Sequence, residues 1–204
     1  GIGEDGDACV NVIHASPDAP AVDVYVNGEV ALEGVEFTQF SGWLALPAGD
    51  YQIHVTAAGD MPENSVIDAE VTIEAGNAYH IAAVGTLDEI SAAVIQSDLS
   101  ELEAETARVR VIHTSPDAPA VDIALAGGDV LVPNLAFPNA SDFLEVPAGS
   151  YDLEVRVAGT TDVALPLPGV ALEAGMVYDV FAVGQVADGT LNVLVIPSAT
   201  AHGE

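Results

Sequence analysis

The stretch VIHASPDAPAVDV, residues 12–24, holds His14, Ser16 and Asp18, the three side-chain types of a hydrolytic triad. In a triad the imidazole takes the serine proton and the carboxylate orients the imidazole, so all three must lie within hydrogen-bond reach. Residues i and i+2 of a strand stand roughly 6.5–7 Å apart, so His14 and Ser16 meet only if the chain bends. Ser16-Pro17-Asp18-Ala19 supplies a bend, with Ser and Pro in the first two places of a type I turn. No Gly-x-Ser-x-Gly elbow accompanies it. The string also returns 99 residues later as VIHTSPDAPAVDI, residues 111–123, with His113, Ser115 and Asp117. Chemistry would then demand two identical active sites, so the stretch reads as architecture. His14 and His113 are expected to be half-buried strand residues whose rings bond a turn carbonyl. Pro17 and Pro20, like Pro116 and Pro119, stop one strand and start the next, because proline fixes φ and lacks a donor. No catalytic and no cofactor-binding residue is expected.

A metal is the other chemistry on offer. Asp18 and Asp23, and likewise Asp117 and Asp122, flank the turn and could reach one hard cation such as calcium, which prefers oxygen ligands. No Asp-x-Asp-x-Asp-Gly loop is present, and 32 acidic residues make some clustering inevitable. The competing reading has Asp23 and Asp122 capping backbone amides or sitting in solvent. Calcium aside, no cofactor is expected.

The elements that carry these residues come in two copies. LALPAGDYQIHV (44–55) aligns with LEVPAGSYDLEV (144–155), and IEAGNAYHIAAVG (73–85) with LEAGMVYDVFAVG (172–184). The constant offset marks a tandem duplication: an acidic segment at 1–8, repeats at 9–97 and 107–198, an acidic linker at 98–106 with at most one helical turn, and a tail at 199–204. Within each repeat Val22, Val24 and Val26 alternate with Asp23 and Tyr25, and Leu153, Val155 and Val157 with Glu154 and Arg156. That period of two means strands with one buried face. Seven or eight short strands per repeat, with turns every 8–12 residues, predict an all-β chain of two tandem immunoglobulin-like antiparallel β-sandwich domains. In Pro-Ala-Gly-x-Tyr, the glycine makes the turn and Tyr51 or Tyr151 ties its hydroxyl back to the corner. Trp43 and Phe143 read as core or sheet-surface residues. Cys9 reads as a small strand residue, with Arg108 in its place in the second copy.

Charge narrows the partners. There are three arginines and no lysine, for a net charge of −29. Such a surface repels itself across a Debye length of about 10 Å at 0.1 M salt, and much less across about 3 Å at 1 M. The composition resembles that of proteins from salt-loving microbes, haloarchaea above all, and predicts a fold weakened by low salt. Nucleic acid is excluded as a partner because phosphate binding needs a basic patch. Solvent cations are the natural counterions, and no stretch is apolar for long enough to span a membrane as a helix. The chain opens on Gly1 and not Met, as either a processed mature form or a trimmed chain would.

The string V-x-V-I-H-x-S-P-D-A-P-A-V-D, followed by Pro-Ala-Gly-x-Tyr and a closing Ala-Val-Gly, resembles the family called domain of unknown function 4397, twice over. The resemblance implies secreted or cell-surface proteins of bacteria and archaea with tandem β-sandwich copies. It implies no established activity and no catalytic residue. The tyrosine expected after the second Asp is present as Tyr25 and replaced by Ala124.

The functional expectation is a non-enzymatic extracellular structural protein that contacts itself or other cell-surface proteins and self-assembles into a filament or layer. The alternative is a calcium- or glycan-binding adhesion module. An enzyme ranks last, since the histidines show no ligand spacing and the repeat accounts for the polar groups.

Overall fold

The computed structural model describes residues 6–200. Most of the 1–8 segment and of the 199–204 tail therefore lies outside the described residues. The chain divides into two units between Asp98 and Leu99. Among the described residues there is no α-helix, only 3₁₀ turns at Pro62–Asn64 and Leu87–Glu89. None is long and apolar enough to cross a membrane.

The first unit contains β1 (Asp7–His14), β2 (Val22–Val26), β3 (Glu29–Val35), β4 (Leu44–Pro47), β5 (Gly49–Ala57), β6 (Ile67–Ile73), β7 (Ala78–Val84) and β8 (Ser91–Ser97). They form two four-stranded sheets in the orders β4-β1-β7-β8 and β3-β2-β5-β6. The second unit repeats this with β9 (Thr106–His113), β10 (Val121–Leu125), β11 (Val130–Leu135), β12 (Leu144–Pro147), β13 (Gly149–Val157), β14 (Val163–Leu172), β15 (Met176–Val183) and β16 (Asn192–Ala199). Its sheets run β12-β9-β15-β16 and β11-β10-β13-β14. Each unit is a β-sandwich, as the periodicity predicts.

Three differences from the sequence reading have physical causes. The sandwiches are not wholly antiparallel: β1 pairs parallel with β7, and β9 with β15. A parallel pair needs a long crossover, and the five intervening strands of each unit supply it. The central strands are also buried on both faces. Asn11 and Ile13 are as inaccessible as Ala8 and Val10, and Asp23 and Arg156 are buried beside the core valines. Strict alternation therefore describes the outer strands better than the central ones. Finally, β1 starts at Asp7 and β9 at Thr106, one or two residues before the repeat bounds expected, and Leu99 in the joining segment is buried.

Each unit has its own core between its sheets. Val10, Val22, Val24, Ile53, Val71 and Ile81 lie in the first, and Val111, Val121, Ile123, Val155, Leu172 and Val180 in the second. β-branched side chains predominate because they pack well on a pleated surface.

Candidate functional site

His14 ends β1, and the turn Ser16–Pro20 carries the chain across to β2 in the other sheet. The backbone amide of Ser16 donates to His14 Nδ1 at 3.3 Å. Nδ1 is therefore the unprotonated nitrogen, and Nε2–H donates to the carbonyl of Pro20 at 2.9 Å. Both ring nitrogens are occupied by backbone, and the residue is fully buried, where half-burial was expected. Ser16 Oγ gives its proton to the carbonyl of Gly85 at 2.6 Å, on the loop after β7. The serine proton thus points at a carbonyl and the imidazole lone pair at an amide, so no nucleophile–base pair exists here.

The second unit repeats the two bonds of the histidine, but not the serine's bond to a glycine carbonyl. His113 Nδ1 accepts from the Ser115 amide at 3.3 Å, and its Nε2 meets the Pro119 carbonyl at 3.0 Å. Phe37 and Phe137 stand edge-on to the two rings at 6.2 and 6.3 Å. Desolvation lowers the pKa of His14 and of His113 from 6.5, and the carbonyls of Pro20 and Pro119 only partly oppose it. Each ring is neutral and fixed in one tautomer near neutral pH.

The aspartates of each unit hold two loops and one edge strand. Asp18 Oδ1 accepts from the Leu87 amide at 2.7 Å. Asp23 takes the Gly34 amide on one oxygen (2.8 Å) and the Gly59 amide on the other (2.7 Å). Asp117 holds Val186 and Ala187 at 2.8 and 2.9 Å, and Asp122 holds Asn134 and Gly159 at 2.7 and 2.9 Å. For Asp117, desolvation pushes the pKa up, but the amides of Ala187 and Val186, with smaller contributions, outweigh it and leave the carboxyl lowered. For Asp122, the Asn134 and Gly159 amides are the leading cause of the same lowering. Both oxygens of Asp23 and of Asp122 are thus engaged by backbone amides, as the capping reading expects. Among the described residues, no group of three or more His, Cys, Asp or Glu is placed to hold a metal ion.

The corner tyrosines close the frame: Tyr51 donates to the Pro47 carbonyl and Tyr151 to that of Pro147, both at 2.6 Å. One glycine per unit is indispensable just past β7 and β15, and in the first unit it is also where Ser16 is anchored. Gly85 and Gly184 have φ of 88° and 85°, and a Cβ on Gly184 would collide with the Thr190 carbonyl. Only glycine tolerates both demands. Pro17, Pro20, Pro116 and Pro119 stand in the turns that separate β1 from β2 and β9 from β10. Trp43 tilts against the His80 ring at 4.8 Å, and Phe143 lies 4.2 Å from the Arg110 guanidinium carbon. Cys9 is a buried free thiol in β1.

The family model for a domain of unknown function (DUF4397) matches residues 8–124 and again 124–204. The chain belongs to this family. The first match runs past Asp98 through the second unit's His-Thr-Ser-Pro-Asp string, and the second begins inside β10. A search of the curated proteins returns no match. Among solved structures, the Bacillus anthracis TIE protein is similar at 10% identity and a TM-score of 0.30, over 95% of this chain and 44% of that one. The CBM26 module CBMbc of Eubacterium rectale Amy13K, crystallised with maltoheptaose, is similar at 12% identity and a TM-score of 0.31, over 95% and 97% of the two chains. A streptococcal virulence factor that binds α-glucan follows at 9% identity and a TM-score of 0.27, over 90% and 95%.

Two features of the units escape the sequence reading. One is the pair of polar clusters Asn11–His80–Trp43 and Arg110–Asp179–Phe143, whose members occupy matching places. The signal was there: Asn11 and His80, like Arg110 and Asp179, are 69 residues apart, and both change together between the copies. The other is which strands lie at the sheet edges, which no short-range pattern encodes.

Proposed function

We propose that this is a non-enzymatic structural protein of the cell exterior of a salt-loving microbe, which assembles with further copies of itself into a surface filament or layer. Strand β8 supports the reading. Edge strands offer unpaired backbone groups to any extended chain, and proteins blunt them with charge or proline. Here β3 carries Glu29 and Glu33, β6 carries Asp68 and Glu70, and β4 ends in Pro47. In the second unit β11, β12, β14 and β16 all contain proline. Among the described edge strands, β8 alone (SAAVIQS) has neither, although the chain carries 32 acids, and its Val94 is 45% exposed. Strand addition at such an edge draws affinity from main-chain hydrogen bonds. Molar salt would screen the repulsion between two copies of charge −29.

The second unit supplies the variant that tests this. Gln96 faces Tyr79 in the register where Pro197 faces Tyr178. Gln96→Pro therefore transplants the second unit's own blunting residue into a matching place. Light scattering and electron microscopy in 3 M salt should show assemblies of the unaltered chain and their loss in Gln96→Pro. A unaltered chain that stays a 20.8 kDa monomer at every salt concentration would overturn the proposal. It would turn attention to a calcium- or glycan-binding adhesion module.

A further inference from the structure

We propose that the first unit holds a ligand site: a cavity of about 120 Å³ between its sheets that takes one small, uncharged, apolar molecule of about the size of benzene. Val22, Val24, Ile53, Val71, Ile81 and Ala92 form much of the wall, which is almost wholly apolar although His14 and Tyr51 also line it. A water molecule needs two to four polar partners, so a cavity of this kind stays dry. An engineered apolar cavity of about 150 Å³ in another protein is known to take up benzene or xenon. The same wall rejects sugars, ions and carboxylates, whose polar groups would go unpaired.

Two alanines of the wall, Ala31 and Ala92, and a third packed against the same core, Ala69, set the two units apart. The corresponding space in the second unit is about 60 Å³. Ala69 faces Ile53 across the sheet where Leu167 faces Leu153. Ala92 faces Ala83 where Val193 faces Ala182. Ala31 follows Val30, the partner of Tyr25, where Leu131 follows Val130, the partner of Ala124. At each place the second unit has the larger side chain, and Leu131, Leu167 and Val193 all line its smaller cavity. A route in exists as well. Ala31 and Leu44 line the cavity and are exposed, and they lie on β3 and β4, edge strands of opposite sheets. Those two strands are not hydrogen-bonded to each other, so parting them breaks no ladder.

The test uses the full chain in molar salt with xenon and then benzene as probes, read by methyl NMR. Saturable shifts are expected at Ile53, Val71 and Ile81, with none of comparable size at Val155 or Val180. The double variant Ala31→Leu/Ala92→Val, which installs the second unit's side chains, should weaken benzene binding at least tenfold. Its own methyl spectrum reports whether it is folded. Absence of saturable shifts in the first unit, equal shifts in both units, or unchanged binding in the folded double variant would each overturn the proposal. Should the double variant not fold, the contrast between the two units of the unaltered chain decides.

Discussion

The two units share a frame but solve the centre of one sheet differently. In the first, Asn11 Nδ2 approaches His80 Nδ1 at 3.2 Å, Asn11 Oδ1 accepts from the Gly42 amide at 3.1 Å, and Trp43 leans on the imidazole. In the second, Arg110 Nε donates to Asp179 Oδ1 at 2.7 Å and Phe143 covers the guanidinium. An amide–imidazole cluster and an ion pair thus fill the same register between parallel strands. What must match is the whole cluster, because a buried charge is tolerated only with its partner.

That contrast yields the largest expected effect. Asp179→Ala leaves Arg110 buried without its carboxylate and should cost the second unit about 3–5 kcal/mol, whereas His80→Ala should cost the first about 1–3 kcal/mol. Hydrogen exchange of β15 and β7 amides in the full chain reads each unit by itself. The double exchange Arg110→Asn/Asp179→His, which copies the first unit's pair, should be milder than Arg110→Asn alone. Equal costs for Asp179→Ala and His80→Ala would mean that charge is not what distinguishes the clusters.

The aspartate clamps come next. Asp23 and Asp122 each fasten an edge strand and a loop by backbone amides, so the units should respond alike. Asp23→Ala orphans the Gly34 and Gly59 amides and should destabilise the first unit by roughly 2–3 kcal/mol, given the worth of hydrogen bonds to a charged acceptor. Asp122→Ala should cost the second unit at least as much, because Arg156 also favours that carboxylate. Denaturant unfolding of the two variants checks the order, and a smaller loss for Asp122→Ala would contradict it.

How far the sequence reveals this molecule depends on how far apart the interacting residues are. The His14–Pro20 and Tyr51–Pro47 bonds span six and four residues, and local turn chemistry is enough to suggest both. The sandwich class is equally legible, since alternation and turn spacing are local patterns. The Ser16–Gly85 bond and the Asn11–His80 pair each span 69 residues, and they exist only because β1 lies parallel to β7. Nothing within a strand announces that pairing. The bare edge of β8 and the cavity behind Ala92 are legible only once strand order is known, for then a missing proline or a small side chain acquires a neighbour to be compared with.

The smallest effect tests where the units are most alike. His14 and His113 both have pKa values lowered by burial, so the unfolded chain binds a proton at each more readily than the folded one. Their contribution to stability is fully present above the unfolded value near 6.5 and is lost as pH falls through the folded values. Unfolding titrations in molar salt from pH 8 down to 5, resolved by strand amide signals, should show the same loss in each unit. His14→Gln cannot take up a proton in that range, so it should flatten the pH response of the first unit and leave that of the second unchanged. If the first unit kept its slope in His14→Gln, its pH dependence would belong to other groups and the His14 imidazole would be a spectator. A slope lost in the first unit alone would show that each buried ring, with its amide on one nitrogen and its carbonyl on the other, is a separate lock on its own sandwich.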